Sequence, residues 1–127
     1  MARRKKEECG DLGVDARVLE LQAEICQTLA NSKRLQIVSL LKNGELPVGE
    51  MVQVMGIAKA NLSQHLAIMR QKGILITRRE GTTIYYRLAS PKITEACTIM
   101  REVLMNLLED REKLSKSIRG AQKISEK

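Results

Sequence analysis

A chain of 127 residues, 43% of them hydrophobic, has the size of one domain with a modest core. Its 22 Lys and Arg outnumber 15 Asp and Glu for a formal net charge of +7, which favours a polyanionic partner over small acidic substrates. One His, two Tyr and no Phe or Trp exclude a His-based metal site or relay and base-stacking recognition of single strands, and no cofactor is implied. No apolar run approaches the roughly 20 residues needed to span a bilayer, so no membrane partner and a cytoplasmic location are expected. Three widely spaced cysteines, Cys9, Cys26 and Cys97, are thiols by default in a reducing compartment.

Residues 1–13 carry four consecutive basic residues, then Glu7-Glu8 and two glycines; they read as a basic flexible arm. From Asp15 a helical pattern begins, with Val18, Leu21, Ile25 and Leu29 on one stripe and Leu19, Ala23, Cys26 and Ala30 on a second, which predicts a helix covered on two sides. Asn31-Ser32 can cap a second helix carrying Leu35, Ile37, Val38 and Leu41, ended by Asn43-Gly44. A short apolar helix, Val48 to Met55, precedes Gly56, and another runs from about Ala58 to Lys72 before Gly73. Two short helices joined by a glycine turn make a helix-turn-helix. Val52, Met55, Ile57, Leu62, Leu66 and Met69 supply its interior, leaving Lys59, Asn61, Ser63, Gln64, His65 and Arg70 as a polar set too large for one face.

After Gly73 the period becomes two, from Ile74 to Glu80 and again from Ile84 to Leu88 around Gly81-Thr82-Thr83, a β-hairpin. The fold class is therefore mainly α with a β-hairpin wing, a winged helix-turn-helix. Pro91 opens a long helix in which Ile93, Cys97, Met100, Leu104, Leu107, Leu114 and Ile118 recur at steps of four and three, broken once by Arg111. Such a seam must be covered by the first helix, by a second subunit or by both. The domain is placed at residues 14–110, with a basic helical extension over 111–127 whose end beyond Arg119 reads as a mobile tail.

Between Lys59 and Leu88 six basic residues, Lys59, Arg70, Lys72, Arg78, Arg79 and Arg87, face Glu80 alone, a surplus of five positive charges. Ser, Asn, Gln and His are short polar types suited to base edges in a major groove, while Arg and Lys neutralise phosphates. The candidate DNA-binding residues are accordingly Lys59, Asn61, Ser63, Gln64, His65, Arg70, Arg78, Arg79 and Thr82, with His65 read as a DNA contact rather than a packing residue. No nucleophile or carboxylate accompanies His65, so no enzyme is expected. A winged helix that docks protein instead of DNA is the alternative, but it gives no reason to place Ser63-Gln64-His65 on the groove helix.

Leu29-Ala-Asn-Ser-Lys-Arg-Leu-Gln-Ile-Val, Asn61-Leu-Ser-Gln-His-Leu, Lys72-Gly-Ile-Leu, Arg78-Arg-Glu-Gly and Tyr85-Tyr-Arg-Leu together resemble the ArsR/SmtB family of winged-helix transcriptional regulators, over about residues 15 to 110. The resemblance implies a homodimer through the first and last helices, bound to a palindromic double-stranded DNA operator as a repressor and released by a metal ion or thiol chemistry. The family's arsenic-type Cys-Val-Cys site falls on Pro47-Val48-Gly49 here, and its zinc-type site needs a His that Pro91 to Ile118 lacks. Cys26 and Cys97 remain, on the two helices that meet at the family's dimer interface. They resemble the thiol pair of persulfide or oxidant sensors, although the early cysteine of those sensors lies one helix later. Three readings stay open: an effector-sensing pair at Cys26 and Cys97, a soft trivalent arsenic site formed by Cys9, Cys26 and Cys97, and cysteines with no sensing role.

Overall fold

The computed structural model describes residues 13–126. The basic arm and Cys9 lie outside the described residues, Gly13 excepted. The chain divides at Ile93/Thr94 into two compact units, taken here in turn.

Helix α1 (Ala16–Leu29) starts where the Asp15 side chain accepts from the Arg17 amide at 2.8 Å. Helix α2 (Ser32–Leu40) starts the same way, with Asn31 Oδ1 accepting from the amides of Lys33 and Arg34 at 2.9 and 3.2 Å. A single 3₁₀ turn, Leu41–Asn43, leads through Gly44 to a two-residue strand β1 (Leu46–Pro47). Helix α3 (Val48–Met55) then ends on Gly56, whose left-handed φ of 63° lets its amide return to the Val52 carbonyl. Helix α4 (Lys59–Gln71) follows, and with α3 forms the expected helix-turn-helix.

The expected wing is present as β2 (Leu75–Glu80) and β3 (Thr83–Leu88), antiparallel in the register Leu75 opposite Leu88 through Glu80 opposite Thr83. Gly81, with φ 63°, makes the tight reversal. The sheet has a third strand that periodicity did not reveal: β1 pairs antiparallel with β3, Leu46 opposite Tyr86 and Pro47 opposite Tyr85, in the order β1-β3-β2. Two residues are too short to show an alternation, and Pro47 reads as a helix entrance; on an edge strand its missing N–H costs little.

The core of this unit is Ile37, Val38 and Leu41 below α2, Met51 from α3, Leu62, Leu66 and Met69 from α4, and Ile74, Leu75 and Leu88 at the base of the wing. One element departs from expectation. Helix α1 buries only Thr28, and Val18, Leu21 and Ile25 remain 51%, 61% and 42% exposed in the single chain.

In the second unit, helix α5 (Lys92–Glu126) runs unbroken for 35 residues, about 52 Å at 1.5 Å per residue. It continues through the stretch beyond Arg119 that reads as tail. The segment contains no proline and only Gly120 as a weak helix former, and the turns before it carry Glu109–Lys113 and Glu112–Lys116 ion pairs at helical spacing. Of the seam, Met100, Leu104, Leu107, Leu114 and Ile118 are each at least half exposed. No helix among the described residues is long and apolar enough to cross a membrane.

Candidate nucleic-acid interface

Helix α4 sorts its side chains by period. Leu62, Leu66 and Met69 point into the core, and the opposite face, at spacings of four, three and four, is Ala60, Gln64, Ala67 and Gln71, all exposed. Lys59, Ser63 and Arg70 flank one side of this face and Asn61 the other, and all four are exposed. The helix thus offers Gln64 at its centre as a side chain able to donate and accept at once, small methyl groups that allow close approach, and cations at the margin. Gln71 is absent from the sequence-derived set although its seven-residue spacing from Gln64 announces it. The alanines of this face carry no polar signal in the sequence.

His65 sits differently from its neighbours. It lies at the edge of the buried row, half-buried, and its Nδ1 accepts from Arg34 Nε at 3.2 Å. Desolvation first, then the charges of Arg34 and Lys33, hold the ring below the usual imidazole range.

On the wing, strand alternation sends Arg78 and Arg79 to opposite faces. Arg78 is occupied: its Nη2 donates to Glu45 Oε1 at 2.6 Å, its Nη1 to Glu80 Oε2 at 2.8 Å, and its guanidinium lies 4.5 Å from the centre of the Tyr85 ring, the residue opposite it on β3. These bonds raise the Arg78 guanidinium above its already high range and hold the Glu45 carboxyl below the usual carboxylate range, Arg78 being the main cause and Arg87 a lesser one. Glu45 lies 33 positions away in the chain, and no local pattern marks it as a partner. Lys72 is likewise shared, 3.9 Å from Glu24. Lys59, Arg70, Arg79 and Arg87 make no ion pair among the described residues, so the positive charge legible in the sequence is concentrated on fewer side chains than its count suggests. Thr82 is exposed at the hairpin tip.

The two described cysteines fall in different units, Cys26 exposed on α1 and Cys97 half-buried on α5. Burial pushes the Cys97 thiol up, with the Arg101 charge opposing. No group of three or more His, Cys, Asp or Glu side chains able to hold a metal gathers among the described residues.

Comparison with known proteins agrees with this geometry. The sequence model described as bacterial regulatory protein, arsR family, matches residues 31–77. The chain is 36% identical over 102 residues to the uncharacterized HTH-type transcriptional regulator Rv0081 of Mycobacterium tuberculosis, covering 80% of this chain and 90% of that one. It is also 39% identical over 69 residues, 54% of this chain and 64% of the other, to the transcriptional activator HlyU of Vibrio cholerae. The crystal structure of Rv0081 superposes with a TM-score of 0.68 at 37% identity, over 74% of this chain and 95% of that one. The homodimeric winged helix-turn-helix domain of Mb0332 from Mycobacterium bovis gives 0.67 at 32% identity over 77% and 94%. The transcriptional repressor BigR from Xylella fastidiosa gives 0.62 at 34% over 81% and 96%.

Proposed function

The chain belongs to the ArsR family of bacterial DNA-binding transcriptional regulators, and from that premise we propose that it is a homodimeric repressor of a palindromic operator, released by thiol chemistry at its dimer interface. The domain responsible spans residues 14–110, with 111–127 as a basic helical extension and tail. The observation that carries the DNA-reading part is the exposed face of α4, Ala60, Gln64, Ala67 and Gln71, flanked by Lys59, Asn61, Ser63 and Arg70. Two such helices in a dimer enter successive major grooves about 34 Å apart. Gln64 reads a base edge, Lys59, Arg70 and Arg79 neutralise phosphates, and Thr82 at the wing tip approaches the backbone. Arg78, on the opposite face of the wing from Arg79, must leave Glu45 and Glu80 before it meets a phosphate.

Homodimerisation is supported by apolar stripes left exposed on both α1 and α5, and by the homodimeric state of the Mycobacterium bovis domain. Repression is supported by the likeness to BigR, and the likeness to an activator, HlyU, makes the sign of regulation part of the test.

The inducer acts on Cys26 and Cys97. The exposed Cys26 thiolate takes the outer sulfur of a persulfide, expelling the donor thiolate; Cys97 then attacks the Cys26 sulfur, leaving a disulfide and hydrosulfide. Cys97, half-buried on α5, is the less accessible of the two thiols and so the one to act second. The alternative, trivalent arsenic held by Cys9, Cys26 and Cys97, shares two of its three thiols with this pair.

Fluorescence anisotropy on the tightest duplex selected from random DNA, with and without a persulfide donor, tests the reading. Tight, sequence-dependent binding abolished by the donor in the wild type, and retained by Cys97→Ser, is the expected result. Binding indifferent to the donor retires the persulfide switch, and repeating the titration with trivalent arsenite then decides the alternative. Transcription from a promoter carrying the selected site, with and without the protein, gives the sign.

A further inference from the structure

The single histidine of the chain sits on the DNA-reading helix, yet its ring is engaged from behind. Arg34, on α2, donates from Nε to His65 Nδ1 at 3.2 Å and from Nη1 to the Thr28 carbonyl at 3.1 Å. Thr28 is the one buried residue of α1, and its hydroxyl donates to the Glu24 carbonyl at 2.8 Å, so the end of α1 that Arg34 grips is itself fixed. A guanidinium can only donate, which requires a lone pair on Nδ1 and puts the ring proton on Nε2.

We propose that Arg34 is a positioning residue for the recognition helix: it joins α4 to the last turn of α1 through the neutral, Nε2-protonated form of His65, so that His65 sets the placement of α4 rather than reading DNA. The charged groups that bear on the ring are both cations of α2, Arg34 and Lys33; among the described residues, α3 and β2, which also pack on α4, contribute none. Protonation would place an N–H on Nδ1 against the Arg34 N–H, and no carboxylate is in place to accept it. The link therefore holds above the ring's titration midpoint and opens as pH falls through it.

The inference rests on α4 being the DNA-reading helix, and its test separates the two. Long-range ¹H–¹⁵N NMR of the full-length protein at neutral pH reads the tautomer of its one histidine without assignment. The Nε2–H form is expected, and an Nδ1–H form overturns the link whatever the DNA result. Operator affinity is then compared for His65→Asn, whose oxygen falls near the Nδ1 position, and His65→Gln, whose amide falls near Nε2. His65→Asn should bind within about twofold of wild type and lack the wild type's loss of affinity toward mildly acid pH, while His65→Gln loses roughly tenfold, the scale of one hydrogen bond to a charged group. The reverse order, Gln binding like wild type and Asn failing, makes His65 a DNA reader and overturns the proposal. An Nε2–H tautomer in a protein that shows no sequence preference for DNA removes the reading of α4, and with it the positioning role.

Discussion

Successive side chains on β2 leave the strand in opposite directions, so Arg78 meets Tyr85, Glu45 and Glu80 while Arg79, one residue on, meets no acid among the described residues. Their shared place beside Gly81 in the sequence therefore hides a division of labour. Arg79→Ala should flatten the log–log salt dependence of operator binding by about 0.9 per protomer, the loss of one phosphate contact. Arg78→Ala should change it less, and Glu45→Gln, by releasing Arg78 from one of its two acids, should steepen it by up to about 0.9 per protomer. Anisotropy titrations over a range of salt concentrations check all three; a Glu45→Gln slope equal to wild type would mean that Glu45 does not decide whether Arg78 reaches phosphate. A pH effect belongs to the same scale. Asp15, bonded through its side chain to Arg17, has its carboxyl lowered to about 2. Because the folded value lies below the ordinary one, the cap's contribution is complete above about 4 and is lost as pH falls through about 2, so acid should fray the start of α1 first, read as early amide exchange at Val18 and Leu19.

Each helix of the first unit has one end marked by a capping side chain or a positive-φ glycine: Asp15, Asn31, Gly56 and Gly73. Asn31 satisfies two amides of α2, and Asn31→Ala should cost about 1 kcal/mol in urea unfolding. Gly56 turns α3 into α4 at φ 63° with open space around its Cα, so Gly56→Ala is penalised by backbone strain alone, about 1–2 kcal/mol. Leu66, fully buried beneath α4, carries more: Leu66→Ala should cost about 2–5 kcal/mol and loosen the recognition helix together with the fold. These ends were legible because caps and glycine turns act within three or four residues. β1 was not, since its two residues become a strand only by pairing with Tyr85 and Tyr86, nearly forty positions away.

At the scale of the molecule, the apolar side chains of α1 and of the α5 seam find no cover in their own units. A helix some 52 Å long with leucines, isoleucine and methionine at heptad spacing is stable in water when a second helix shares its seam. Leu107→Glu places a charge in that seam and should convert the proposed dimer to monomer in sedimentation equilibrium. Operator affinity should fall at least tenfold, because the two half-sites are then bound independently. A Leu107→Glu protein that remains dimeric would move the interface elsewhere.

The arrangement of helices, turn and wing was readable from residue order because periodicity, caps and glycines are local physics, and so was the surplus of positive charge on the segment from Lys59 to Leu88. Which side chains are at liberty to meet DNA was decided only by the folded chain. Arg78 is claimed by Glu45 across 33 positions and His65 by Arg34 across 31. A side chain's partners depend on which elements the core brings together, and sequence spacing carries no record of that.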